Sequence, residues 1–259
     1  MHAISSTPAS PATRWLVAAA AVIQVLIPLL PSLGLGEPIG SRSDSVRTLI
    51  TPAGWAFSIW GPLYAGAFLF AIYQFLPSKA GDPLLARLRL PAAGAFLGNG
   101  LWALYTQFFG LSAISAAIIV FTLLCLLRCY RVLAVQQDAL TAGQRWLAMV
   151  PLCALAAWLT AATIVNIAAS LRYHGIEAGD LAPLIAAGVI VVGGIIAAAA
   201  LLAGGGNLPY ALVFLWALAA IYAAGGQQQP AIALATGAAA ILVVGATIAG
   251  FRRRRTRRQ

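Results

Sequence analysis

Eight stretches of about twenty apolar residues succeed one another along this chain, and nothing else in the sequence restricts its fold so tightly. A helix needs about 20 apolar residues to cross the roughly 30 Å hydrocarbon layer of a bilayer. The stretches run Trp15–Leu35, Trp55–Leu76, Leu90–Phe109, Leu111–Ala134, Trp146–Leu171, Leu181–Ala203, Leu208–Ala224 and Ala231–Phe251. None alternates in the manner of a barrel strand, and backbone amides in lipid must be satisfied within their own segment, so each is expected to be a helix. With 61% hydrophobic and 8% charged residues the chain falls outside the range of soluble domains. The expected fold class is an all-α, polytopic membrane bundle of about eight transmembrane helices. Between the third and fourth stretches only Phe109-Gly110-Leu111 is left to reverse the chain, which predicts a very tight turn.

Charge supports the even count. With eight crossings, one side collects Arg14, Lys79, Arg87, Arg89, Arg128, Arg131, Arg145 and the arginines within Arg252–Arg258, while the other holds Arg42, Arg47 and Arg172. The positive-inside rule then places both termini in the cytoplasm, with a plasma (inner) membrane as the default location. The net charge of +10 does not point to nucleic acid, because the terminal arginines directly follow a membrane span and no aromatic residue interleaves them to stack on a base. They read as a topological anchor that meets anionic headgroups. Residues 1–13, rich in Ser, Pro and Ala, are expected to be a disordered tail, and the first apolar run exceeds the usual length of a cleaved signal.

Conventional reactive groups are scarce. Cys125, Cys129 and Cys153 lie within the spans with no histidine or carboxylate at metal-ligand spacing, so they are expected to be packing residues and no metal site is predicted. His2 and His174 fall in the tail and a loop, which leaves no axial haem ligand inside the bilayer. No catalytic residue is assigned, and enzymatic activity is not the expected reading.

Aromatic residues are not scarce. On the second span, Phe57, Trp60 and Tyr64 recur in steps of three and four and so share a helix face. Asn99, Trp102 and Thr106 do the same on the third, followed by Phe108 and Phe109, and Trp158, Ala162 and Asn166 on the fifth. Neutral amides inside a bilayer require partners, so Asn99, Gln107 and Asn166 are expected to face the bundle, as ligand groups or as links between helices. Aromatic walls with a few convergent polar groups suit a largely apolar ligand. The polar loop Gly36–Pro52, leading into the Trp-rich second span, is placed to act as a lid.

These residues resemble the translocator protein, or tryptophan-rich sensory protein (TspO/MBR), family of five-helix membrane bundles. The resemblance covers about Trp15–Leu171 and rests on Pro52-Ala-Gly-Trp55 leading to Trp60 and Tyr64, on Asn99-Gly-Leu-Trp102 followed by Phe108-Phe109, and on Trp158, Ala162 and Asn166. It implies a tryptophan-lined cavity, capped by the first loop, that binds porphyrins or other hydrophobic planar molecules. By residue match that cavity is formed by Trp55, Trp60, Tyr64, Asn99, Trp102, Phe108, Trp158, Ala162 and Asn166, with Phe57 joining them by helical spacing. The implied function is a membrane receptor, sensor or carrier for a tetrapyrrole. The alternatives are a small-solute transporter, a structural membrane partner without a ligand and, from the family alone, a porphyrin-modifying enzyme.

No cofactor is required, although a porphyrin or haem-like ligand is compatible. The expected partners are a hydrophobic small molecule, the lipid membrane and, as in many relatives, a second copy forming a homodimer, with no nucleic acid. The family's proline between the two tryptophans of the second helix is missing here along with one residue, a deletion that would rotate Trp55 by about 100° relative to Trp60. The expected organisation is a tail at 1–13, a family-like core at 14–172, a three-helix extension at 173–251 and a basic cytoplasmic tail at 252–259. The extension, rich in Ala and in glycines such as Gly188, Gly193 and Gly194, reads as a closely packed module.

Overall fold

The computed structural model describes residues 11–256. The first ten residues of the expected N-terminal tail therefore lie outside the described range, whereas Pro11–Thr13 already belong to a helix. The elements are α1 (Pro11–Leu26), prolonged by a 3-10 segment Ile27–Leu33; α2 (Ile39–Ser45); a 3-10 turn Gly54–Ile59 running into α3 (Trp60–Tyr73); α4 (Pro83–Phe109); α5 (Ala113–Gln136); α6 (Ala142–Gln144), joined through a π turn Arg145–Met149 to α7 (Val150–Tyr173); α8 (Ala182–Ala203); α9 (Leu208–Ala223); and α10 (Pro230–Thr256). All described elements are helical, and the molecule is an all-α polytopic membrane bundle.

Among the described residues, six helical segments are long and apolar enough to cross a membrane unaided. The other two crossings expected from the sequence are α4 and α9, and their composition explains why they stand apart. Helix α4 carries Arg87, Arg89, Asn99 and Gln107, and buries three of them, Arg89, Asn99 and Gln107, against its neighbours. Helix α9 is apolar but only 16 residues long. Both pack inside the bundle, α4 between α1 and α5 and α9 between α7 and α10. The central position belongs to α7, whose most apolar window is 72% buried and which touches α3, α5, α8 and α9. Helix α7 carries Thr160, Thr163, Asn166 and Ser170, polar groups that in a bilayer must turn to protein rather than lipid, and it buries all four.

Turn chemistry sets the boundaries. Asp82 caps α4 by accepting from the amides of Leu84 and Leu85 at 3.0 and 3.2 Å, with Pro83 at the first helical position. Gly110, at φ +81°, ends α4 in a conformation that a side chain would strain, and Ser112 caps α5 two residues later. This is the tight reversal expected at Phe109-Gly110-Leu111. Asn207 caps α9 through the Tyr210 amide, and Pro230 opens α10. The basic residues from Arg252 continue α10 as far as Thr256.

One end of the bundle gathers the basic residues. Arg14 donates to the Ala80 carbonyl, Arg89 to those of Lys79 and Ala80, the Gln144 amide to Asp82, and Arg254 to Asp138. These contacts tie the start of α1, the α3–α4 and α5–α6 connections and the end of α10 together. The last three helices are joined to the rest by the Tyr130 hydroxyl, donating to the Ala200 carbonyl at 2.8 Å, and by Tyr210, donating to Thr160 at 3.0 Å. Close packing between α8 and α10 depends on Gly194, where a Cβ would stand 2.7 Å from that of Ala239. Gly193 faces Ile164 of α7, and Gly188 faces open space and plays no such part.

Candidate functional site

The site begins with a change of helix type. Gly54–Ile59 winds as a 3-10 turn and α3 starts only at Trp60, so the residues around Trp55 do not follow the spacing of the helix beyond. Trp55 is carried to α9, where it packs edge-on against Trp216 at 4.7 Å between ring centroids. Trp60 is left as the centre of an aromatic cluster. It stacks on Tyr64 at 5.1 Å, lies 6.4 Å from Trp102 of α4 and meets Trp158 of α7 edge-on at 5.9 Å, while Phe57 approaches Trp158 from the turn at 6.4 Å. Such offset and edge contacts are the favourable arrangements for rings.

This cluster borders a cavity of about 50 Å³. Phe57, Trp60, Trp102, Trp158, Ala162 and Asn166 line it, six of the ten residues singled out from the sequence. Tyr64 stands behind Trp60, and Asn99 is buried one layer away, donating to the Gln24 side chain of α1 at 3.4 Å. Asn99 thus links helices. Trp55 and Phe108 do not border the cavity; both are exposed, and Phe108 packs against Phe109.

The first loop lies against this cavity. Ile39 and Ser43 of α2 and Pro52 close the cavity from the first loop. What anchors them is Arg42, which donates to the Gln107 carbonyl at 3.1 and 3.4 Å and to the Phe108 carbonyl at 3.2 Å, and pairs with Glu37 at 3.3 Å. The Glu37 amide also donates to the Gln107 carbonyl. The last carbonyls of a helix have no partner within it and carry its negative end, so a guanidinium there is favourable on both counts. The sequence shows Arg42 only as a loop charge, because its partners are backbone atoms 65 residues away.

Helix α9 completes the wall with Ala217 and Ile221. It also holds the 3-10 turn in place, with the Trp216 indole donating to the Ala56 carbonyl at 3.2 Å and the Ala53 amide to the Ala220 carbonyl at 3.0 Å. The part of the chain beyond α7 therefore contributes directly to the cavity, through α9. No periodic motif marks that role, since small and aliphatic residues look the same whether they pack a helix or line a cavity.

The lining is apolar except for a group of unused donors. Among the described residues, the indole N–H groups of Trp60, Trp102 and Trp158 find no acceptor. Asn166 accepts from Ser115 at 3.0 Å through its carbonyl oxygen, while its amide nitrogen also lacks a partner. A buried donor left unpaired costs roughly 1–3 kcal/mol, so four on neighbouring residues are a substantial local destabilisation.

The cavity is not isolated. A gap of about 20 Å³ shares Ala161, Val165, Ala217 and Ile221 with it, and shares Ile50 and Val189 with a cleft of about 640 Å³. That cleft lies between the lid loop, the ends of α7 and α9 and the starts of α8 and α10, with Arg47, Arg172 and Gln228 among its residues. The three spaces form a broken line from the surface to the aromatic cluster. Among the described residues no group of histidines, cysteines and carboxylates is placed to hold a metal ion, and the three cysteines are free thiols, with Cys129 and Cys153 buried.

A family model described as TSPO-like protein matches residues 13–249, which reaches from α1 into α10 and runs well past Leu171. No curated protein and no solved structure matches the chain.

Proposed function

Because the chain belongs to the TSPO-like protein family, we propose that it is a membrane sensor or carrier whose ligand is a flat, hydrophobic molecule bearing hydrogen-bond acceptors, of the porphyrin class, held among Trp60, Trp102 and Trp158. The observation that supports this reading is the set of four unpartnered N–H groups on Trp60, Trp102, Trp158 and Asn166, all residues of one aromatic-walled cavity. Aromatic faces supply stacking area for a planar ring, and the orphan donors supply partners for its acceptor atoms. The proposed orientation has both termini and the basic face in the cytoplasm of a plasma membrane, with the lid on the opposite side.

Size determines how such a ligand binds. Sites for drug-sized ligands occupy roughly 300–1,000 Å³, whereas the cavity measures about 50 Å³. On this reading a tetrapyrrole requires the lid and the 3-10 turn to move away from α7 and α9, and the arrangement with the small cavity is a closed form of the site. The 640 Å³ cleft is large enough to receive the ligand first, and Ile50, Val165, Val189 and Ile221 stand between it and the aromatic cluster.

The test is equilibrium titration of the purified protein with protoporphyrin, followed by tryptophan fluorescence. Saturable quenching is expected, weakened in Trp158→Ala and Trp102→Ala and retained in Trp55→Phe. Equal binding by all three folded variants would remove the cavity from the account.

A further inference from the structure

At the end of the bundle opposite the lid, three arginines surround a groove of about 380 Å³: Arg87 of α4 and Arg128 and Arg131 of α5, over a floor of Val132 and Val135. On α5 these residues stand at i, i+3, i+4 and i+7 and so form one stripe. All three guanidinium groups are exposed, and among the described residues none has an ion-pair or hydrogen-bond partner. The carboxylates are committed elsewhere: Glu37 to Arg42, Asp44 to Arg47, Asp82 to Lys79, Asp138 to Arg254 and Glu177 to Arg172. Asp180 sits in the connection between α7 and α8, at the other end of the molecule. The contrast with Arg89 is informative, since that neighbour turns inward, is buried and donates to backbone carbonyls.

Depth matters as much as charge. Arg128 lies eight residues before the end of α5 at Gln136, roughly 12 Å along the helix at 1.5 Å per residue. An outward-facing arginine whose stem reaches the hydrocarbon layer is stabilised when its head group meets an anion at the interface. Below the groove, each helix continues in exposed apolar side chains, Phe121 and Leu124 on α5 and Leu90, Leu97 and Leu101 on α4. Phe121 leans across to α4, 3.4 Å from where a Cβ on Gly98 would stand, so the two helices form one continuous furrow.

We propose that this furrow is a binding site for an anionic phospholipid, with the phosphate held by Arg87, Arg128 and Arg131 and the acyl chains lying along α4 and α5. Guanidinium groups bind phosphate oxygens bidentately. Basic pockets between transmembrane helices select acidic headgroups in the same way. The apolar furrow distinguishes a lipid from free phosphate, which gains nothing from Phe121 or Leu124. The site is separate from the aromatic cavity and does not depend on what that cavity binds.

The experiment uses the full-length chain, stripped of co-purified lipid in detergent, and measures uptake of phosphatidylglycerol and phosphatidylcholine by native mass spectrometry. A bound phosphatidylglycerol that phosphatidylcholine does not replace is expected. Arg128→Gln with Arg131→Gln should lower its apparent affinity roughly thirtyfold, the loss of two arginine contacts. Arg252→Gln with Arg253→Gln, in the terminal basic cluster, should leave it unchanged. If the α5 pair does not fold, Arg87→Gln on the neighbouring helix provides the same comparison, with an expected loss of about fivefold. Equal uptake of the two lipids, loss shared equally by the terminal variant, or full displacement by millimolar inorganic phosphate would each overturn the assignment.

Discussion

Arg42 is predicted to control how fast a ligand enters. In the closed form its guanidinium satisfies the Gln107 and Phe108 carbonyls at the end of α4 and holds α2 over the cavity. Its side chain is 24% exposed, and its bonds, at 3.1–3.4 Å, are long for charged ones. A hydrogen bond to a charged group is worth about 1.5–3 kcal/mol net. With water available to replace the lost contacts, the lower part of that range, about 1.5–2 kcal/mol, applies to the whole clamp. Arg42→Ala would then raise the population of the open lid roughly ten- to thirtyfold, at 1.4 kcal/mol per tenfold. Where binding must wait for a minor open form, the observed association rate scales with that population. Stopped-flow quenching by protoporphyrin should therefore show an association rate ten to thirty times that of the parent protein. An unchanged or slower rate in a variant with normal thermal stability would refute the reasoning, and with it the inference that the small cavity is a closed state.

Other substitutions probe the same architecture. Trp216→Phe removes the bond to the Ala56 carbonyl and should act in the same direction as Arg42→Ala but more weakly, about fivefold in association rate for about 1 kcal/mol. Gly194→Val places a side chain against Ala239, where even a Cβ is too close; overpacking of about 1–3 kcal/mol exceeds the gain of up to about 1 kcal/mol from removing a helix glycine, so a thermal melt in detergent should shift downward. Gly188→Val, facing open space on the same helix, should not lower the midpoint. Tyr130→Phe leaves the Ala200 carbonyl without its tyrosine donor and should cost about 1 kcal/mol, read as a lower midpoint in the same melt.

Much of this architecture was legible in the residues, for identifiable reasons. Membrane crossings declare themselves by length and composition, and the turn at Gly110 followed from two apolar runs with almost nothing between them. Trp60, Trp102, Trp158, Ala162 and Asn166 came together because helical spacing fixes which residues share a face. Trp55 parted from them because a 3-10 turn has a different spacing, and the missing residue before Trp60 was its only outward sign. Arg42 stayed hidden because its partners are carbonyls, which every residue carries. Ala217 and Ile221 stayed hidden because nothing in an aliphatic helix distinguishes a wall from a packing surface. The size of the cavity was beyond reach altogether, since it depends on how far the lid has settled onto α4.

The measurement that tests the central claim most directly is a protoporphyrin titration of Ala162→Phe beside the parent protein. Ala162 borders the cavity, and a phenyl ring there fills a space of only about 50 Å³ without removing any tryptophan reporter. The account predicts saturable quenching in the parent and its loss in the folded variant. Undiminished quenching in Ala162→Phe would place the ligand elsewhere and contradict the account.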